Sequence, residues 1–354
     1  MLSRLSASKW FWPLAALVLL LLYNLFFTPG FFSIEVKDGH LFGSLIDILN
    51  RSAPVMLLAI GMTLVIATKG IDLSVGAVMA IAGAAAAWMI TRPGNPVSGL
   101  TASLLGLQIG SDGTAQGVVG LFAVVAITLV FSVLLGAWNG LLVSVFDVQP
   151  MVATLILMVS GRGVAQLITD GQIVTFHHPG VEFIGNGFLF SLPFSVTLVV
   201  VVLAVTAIAT RLTAMGLFIE SVGDNQTASH YSGVNVRWVK MFVYMFCGLC
   251  AGVAGLIAVS NIKGADANHA GLNLELDAIL AVVVGGTSMN GGRFYLVGSV
   301  LGALIIQTLT TTILTRGVPP EDTLVVKAIA VLIVCLLQSE QFRSKFVRRR
   351  SVRA

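Results

Sequence analysis

The chain has 354 residues, of which 56% are hydrophobic and only 10% charged, with a mean hydropathy of +0.96. Soluble domains carry about 25% charged residues, and here the deficit runs along the whole chain, which excludes a soluble globular protein. The formal net charge of +4 does not indicate nucleic acid, because the basic residues sit at chain ends and helix ends, where membrane topology places them.

At roughly 20 residues per span the length suits about ten membrane helices. The first apolar run, Trp10 to Phe27, follows Arg4 and Lys9 and ends in Thr28-Pro29-Gly30. It lacks a small-residue cleavage site, so it reads as a retained helix rather than a signal peptide. After a polar link, Ser33 to Ser44, the second span covers Leu45 to Thr68, with Arg51 and Pro54 near its start. Lys69-Gly70-Ile71-Asp72-Leu73-Ser74 then breaks the hydrophobicity, and the third span runs from Leu73 to Ile90. Thr91 to Gln116 has the composition of a loop, with Leu100 to Leu107 able to lie on the membrane surface. The fourth span covers Gly117 to Phe146, and Asp147-Val148-Gln149-Pro150 turns the chain into the fifth, Met151 to Ile168. Thr169 to Ser191 is a polar link with His177, His178 and Glu182, and the sixth span is Leu192 to Ala209.

Arg211 to Lys240 is the longest polar interruption of the second half. Within it, Asp224 to Gly233 reads as a miniature helix of about two turns. Asn225 or Asp224 can cap its start, and Gly233 can stop it in the left-handed conformation. A helix so short needs a surface to rest on. The seventh span is Met241 to Asn261, followed by a loop, Lys263 to Asn273. The eighth, Leu276 to Gly285, is short. Ser288 to Arg293 is a Gly-rich turn, the ninth span is Tyr295 to Leu314, Arg316 to Asp322 is a loop, and the tenth is Leu324 to Leu337. The tail carries Arg343, Lys345, Arg348, Arg349, Arg350 and Arg353.

An even number of spans puts both ends on one side, and the Lys/Arg bias makes that side cytoplasmic. It then holds Arg4, Lys9, Lys69, Arg211, Arg237, Lys240, Arg293 and the six tail charges, thirteen of the twenty basic residues. Lys37, Arg92, Lys263 and Arg316 fall in external loops, and Arg51, Arg162 and Lys327 in helices.

Several polar residues invite a functional reading beside a plainer one. Asp72 can cap the third span through the N–H of Ser74 or Val75, or line a path at a broken helix. Arg162 and Gln166 share a helix face, and Asn139 also lies at membrane depth. Groups in such places face protein or a water-filled cavity, and Arg162 can pair with Asp170 or reach the outer interface. Glu275 and Asp277 start the eighth span, where carboxylates suit the helix N-terminus; the alternative is an entrance for cargo or its carrier. Gly136/Gly140, Gly248/Gly252 and Gly298/Gly302 permit close helix packing, first of all within one chain. Cys247, Cys250 and Cys335 lie in apolar runs and read as packing residues. His177 and His178 are adjacent, so they do not converge on a metal, and no metal site or catalytic set is expected.

Gly70-Ile71-Asp72-Leu73-Ser74-Val75-Gly76, Leu274-Glu275-Leu276-Asp277-Ala278-Ile279 and the following Gly285-Gly286-Thr287-Ser288 and Gly291-Gly292 resemble the permease subunits of bacterial ABC sugar importers of the ribose/galactose/xylose group. Gly223, Asn225, Ala228 and Gly233-Val234 match that group's cytoplasmic loop. The runs from Leu41, Gln149 and Gly264 resemble, more narrowly, the galactofuranose-importer permeases. The resemblance implies an all-α polytopic fold of the vitamin B12-importer type with about ten transmembrane helices, as one permease domain over 1–354 in the bacterial inner membrane. Within it, 211–240 would be a cytoplasmic coupling loop and 341–354 a basic cytoplasmic tail.

It implies coupling to an ATPase through Gly216, Glu220, Gly223, Asn225, Ala228, Ser229 and Gly233. It implies a sugar path near Asp72, Asn139, Arg162 and Gln166, and a periplasmic entrance near Glu275 and Asp277. The implied partners are an ATPase with two nucleotide-binding domains, a second, related permease, a periplasmic sugar-binding protein and the bilayer. The cargo would be galactofuranose, or another sugar such as ribose or xylose. No phosphate-binding Gly-x-x-x-x-Gly-Lys-Ser/Thr run is present, so ATP and Mg belong to the partner and no cofactor to this chain. An ion-driven transporter would instead need carboxylates in mid-helix. An enzyme acting on lipid-linked sugar would need a convergent catalytic set.

Overall fold

The computed structural model describes residues 11–37, 39–91 and 118–338. Arg4, Lys9, the Arg92–Gly117 stretch with Leu100 to Leu107, and the basic tail lie outside the described residues. The described helices are α1 (Phe11–Phe27), α2 (Ser44–Ala67), α3 (Val75–Thr91), α4 (Val118–Ser144), α5 (Pro150–Ile168), α6 (Pro179–Asn186) and α7 (Phe194–Leu212). They continue with α8 (Ala214–Asp224), α9 (Gln226–Tyr231), α10 (Val236–Ile262), α11 (Leu274–Val284), α12 (Leu296–Thr315) and α13 (Pro320–Gln338).

Six of these, α2, α4, α5, α7, α10 and α12, are long and apolar enough to cross a membrane. Shorter apolar helices cover Pro13–Phe27 in α1 and Val75–Thr91, which is α3. α11 and α13 fall where the other two spans were expected, α11 with 11 residues.

Helices that are apolar all round belong in an interior. Every residue of α2 from Ser52 to Ala67 is buried, and so is α3 from Val75 to Ala84. α10 packs on α4, α2 and α3; α12 packs on α11, α2 and α1. α4, α5 and α7 instead turn Phe122, Leu134, Ile156, Val159 and Val201 outward. That is the face a bilayer would cover.

Small residues set how closely these helices pass. A Cβ on Gly136 would come within 2.4 Å of the Tyr244 carbonyl oxygen, and one on Gly248 within 2.5 Å of that of Ser132. The Gly136/Gly140 and Gly248/Gly252 pairs thus serve one α4–α10 crossing. Gly302 lies against the Ala281 carbonyl of α11, 2.0 Å from where its own Cβ would stand. All three motifs pack within the chain, as the simpler reading expects. Buried hydroxyls add specific ties: Thr63 donates to Ser299 at 2.7 Å, and Asn24 to Thr312 at 2.7 Å.

The polar links are more structured than expected. Ser33 to Ser44 holds an antiparallel pair, β1 (Glu35–Lys37) with β2 (His40–Phe42). Thr169 to Ser191, read as a plain link, contains β3 (Val174–Thr175), β4 (Phe188–Leu189) and helix α6. β4 pairs with β5 (Leu192–Pro193), and β3 with β6 (Gly264–Ala265) in the loop after α10. α6 starts at a cap the histidine pair concealed: the His178 ring accepts from Val181 N–H at 3.3 Å. It is pinned to the end of α10 by Ser260, whose hydroxyl accepts from Gly185 N–H at 2.7 Å and donates to the Glu182 carbonyl at 2.9 Å. Lys263 pairs with the Glu182 carboxylate at 2.9 Å, and the exposed His177 ring lies 3.5 Å away.

Two measurable consequences follow from this packing. The hydrogen bond from Lys263, with smaller help from His177, holds the Glu182 carboxyl below its ordinary range. A lowered carboxylate stabilises the fold above its unfolded pKa of about 4.3 and loses that contribution as pH falls through the folded value. The protection of α6 amides against hydrogen exchange, relative to their intrinsic rates, is therefore expected to fall below about pH 4, and Lys263→Met should abolish most of that acid dependence. Separately, Gly302→Leu should lower stability by about 1–3 kcal/mol through overpacking, read as an earlier thermal unfolding in detergent.

Candidate functional site: a capped helix pair and a polar break

The segment between α7 and α10 is built from caps. Thr213 opens α8 by accepting from Met215 N–H at 3.2 Å. Asn225 then serves two helices. Its N–H donates to Ser221 O at 3.0 Å, closing α8, while its side-chain oxygen accepts from Ala228 N–H at 3.0 Å, opening α9. Gly233, at φ +86°, stops α9, with Gly233 N–H to His230 O and Val234 N–H to Ser229 O, both at 3.0 Å. Those are the paired bonds of a Schellman end. Asn235 caps α10 by accepting from Trp238 N–H at 3.1 Å.

The expectation of one mini-helix over Asp224–Gly233 needs correction. Asp224 is the last residue of α8, Asn225 alone is the cap, and α9 is preceded by a helix the sequence reading missed. Gly216 and Gly223 hid it, since glycine weakens a helix. Both are there for close approach. A Cβ on Gly216 would stand 1.9 Å from Thr210 O, and one on Gly223 would stand 1.8 Å from Ala67 O.

The predicted coupling set therefore divides. Gly216, Gly223 and Ser229 are buried against this chain, and Glu220 is half-buried. Asn225, Ala228 and Gly233 are exposed, beside Tyr231, which is 85% exposed, and Leu217. Next to α9 lies an open cavity of about 690 Å³, lined among others by Asp147, Gln226, His230, Tyr231, Arg237 and Lys240.

The polar break lies between α2 and α3. Lys69 takes the left-handed position after α2, at φ 62°. Gly70 N–H reaches back to Val65 O at 3.0 Å. Gly70 is small because Tyr244 is close: a Cβ there would lie 2.6 Å from the phenol oxygen. Asp72 Oδ1 accepts from Ser74 N–H at 3.0 Å and from the Ser74 hydroxyl at 2.6 Å. Asn139 Nδ2 donates to Ser74 Oγ at 2.7 Å and lies 3.4 Å from Asp72 Oδ1. Thr154 of α5 accepts from Leu73 N–H at 3.1 Å and donates to Ile71 O at 3.3 Å. Asp72 is 1% exposed and Asn139 fully buried. Here Asp72 caps, and Asn139 braces the cap.

Arg162 and Gln166 do share a face, and both grip the loop before α11. Arg162 Nη1 donates to Ala270 O at 2.5 Å, and Gln166 Nε2 to Asn268 Oδ1 at 2.9 Å. That loop is organised by Asp266. Burial alone would raise its carboxyl, but hydrogen bonds from the His269 ring and from the Asn268 and His269 N–H groups hold it below its ordinary range. Glu275 and Asp277 point apart. Glu275 is 7% exposed and faces Gly76 of α3, whereas Asp277 forms an ion pair with Lys327 of α13 at 2.6 Å. Lys327 was legible only as a charge within a helix.

Comparisons with known proteins place this architecture. Residues 44–336 match the family described as branched-chain amino acid transport system / permease component. The galactofuranose transporter permease protein YtfT of Escherichia coli (strain K12) is 52% identical over 94% of this chain and 92% of its own length. The fructose import permease protein FruF of Bifidobacterium longum is 36% identical, covering 99% and 94%. The ribose import permease protein RbsC of E. coli (strain K12) is 33% identical, covering 93% of each. No solved structure matches the chain. With a match across most of its described helices, and sugar permeases among its relatives, the chain belongs to the branched-chain amino acid transport system / permease component family as a sugar ABC transporter permease.

Proposed function

We propose that this chain is the membrane-spanning permease subunit of an ATP-driven importer carrying a monosaccharide, galactofuranose first, from periplasm to cytoplasm. The observation that carries the reading is α9: a fully capped helix of six residues whose exposed side offers Ala228 and Tyr231 to a partner. α9 rests its buried side on α8 and α10 of this chain, and an ATPase with two nucleotide-binding domains would meet its outward side. The 52% identity to a galactofuranose permease supports the cargo.

The same reading gives ten spans of the vitamin B12-importer type, both termini in the cytoplasm, and 211–240 as the coupling loop of a single permease domain. A second permease completes the path and a periplasmic sugar-binding protein delivers the cargo. In this reading the sugar path runs by Asp72, Asn139, Arg162 and Gln166, and its periplasmic entrance by Glu275 and Asp277.

Uptake by proteoliposomes holding the full complex tests this. ATP inside should drive accumulation of labelled galactofuranose, with ribose and xylose competing weakly, and collapse of ion gradients should leave uptake intact. Asn225→Leu combined with Ala228→Asp removes the cap and charges the contact. Loss of a cap alone costs about 1 kcal/mol, so uptake should fall at least roughly five-fold while membrane insertion is unchanged. Full uptake by this double variant would remove α9 from the coupling role.

A further inference from the structure

We propose that Lys69 is a positioning residue that clasps α8 to the end of α2, so that movement of α9 reaches the Asp72 break. This rests on the importer reading above, and it concerns the route inside the permease rather than contact with the ATPase.

Three backbone segments meet at this point with almost no side chain between them. A Cβ on Gly223 would stand 1.8 Å from Ala67 O and 2.5 Å from Gly292 N. Gly292 N–H donates to Ala67 O at 2.9 Å. The end of α8, the end of α2 and the turn before α12 are therefore in direct contact. Close-packed backbone has no soft groups to absorb a displacement.

Lys69 closes the junction. Its stem passes over Gly291, where a Cβ would stand 2.5 Å from its Cγ. Its ammonium donates to Asp224 O at 2.7 Å, on the last residue of α8. A cation at a helix C-terminus meets unpaired carbonyls and the negative end of the dipole. Lys69 itself sits at φ 62°, where glycine is the unstrained residue. A lysine held in that conformation is explained by what its side chain reaches. The next residue after Asp224 is Asn225, the cap of α9. Three residues after Lys69 comes Asp72, which fixes the start of α3. Within this chain α9 packs on α8 and α10. A push on α9 thus passes through α8 to Lys69 and the α2–α3 break, and through Gly292 to α12.

The test uses the complete complex in nanodiscs and proteoliposomes, comparing wild type, Lys69→Gly and Lys69→Arg. Lys69→Gly keeps the left-handed backbone at least as well as lysine but removes the clasp. It should insert, hold the ATPase on purification, hydrolyse ATP at the basal rate and unfold no earlier than wild type. The sugar moved per ATP should fall about five-fold, the order expected for losing one solvent-exposed hydrogen bond. Lys69→Arg, which can still reach the carbonyl, should recover most of the ratio.

An unchanged ratio in Lys69→Gly would overturn the proposal. So would loss of the ATPase on purification, which would make Lys69 a docking residue, or a fall in melting temperature that accounts for the lost transport. A wild-type complex that shows no ATP-driven uptake would instead overturn the importer reading, before any variant is compared.

Discussion

The structure depends on how the chain reverses between α2 and α3, in a turn that buries Thr68, Gly70, Asp72 and Ser74 and leaves Lys69 exposed. Where water is absent, every backbone N–H and C=O must find a partner within the protein. Helices meet that demand by themselves, but the turn from Thr68 to Ser74 cannot. Its free groups are taken up by Asp72, Thr154 and the paired bonds at the end of α2, and Asn139 comes from a fourth helix to hold Ser74. α2, α3, α4 and α5 are thereby fixed to one point. α10, which packs on both α2 and α3, sets their heights against each other along the rest of their length.

Around this point the packing follows from the lack of a hydrophobic driving force between helices in lipid. Small residues let backbones touch, and a few hydroxyl and amide pairs fix the sliding of one helix along another. Such interhelical hydrogen bonds contribute about 0.6 kcal/mol on average, so no single pair holds the bundle. The Thr63–Ser299 and Asn24–Thr312 bonds matter more for alignment than for strength. Both involve α12, whose Thr310 and Thr315 hydroxyls turn back onto their own helix.

Much of this was legible in the sequence because it is local. Hydropathy marks the long spans, Asn225 and Gly233 mark the ends of α9, and Asp72 announces a cap two residues before Ser74. The Gly-x-x-x-Gly spacings announce close crossings. What escaped is either glycine-masked or long-range. α8 was hidden because Gly216 and Gly223, read along the chain, weaken a helix; only the neighbouring carbonyls show why they are needed. α6 was hidden inside a polar composition and starts at a histidine, an uncommon cap. The partners of Arg162, Lys69 and Lys327 lie 108, 155 and 50 residues away, and no spacing rule reaches that far.

The double use of Asn225 limits what can replace it. It stands where the C-terminal end of α8 meets the N-terminal start of α9, so two helix dipoles of opposite sign face each other across one residue. An aspartate would suit the α9 side and be repelled by the α8 side, where Asp224 already adds a negative charge. A lysine would do the reverse and could accept no hydrogen bond. Asparagine is neutral, accepts from Ala228 and tolerates the extended backbone at φ −150°. Asn225 thus joins the two helices without a charge of its own, and the charge at the elbow comes from the Lys69 ammonium on the Asp224 carbonyl.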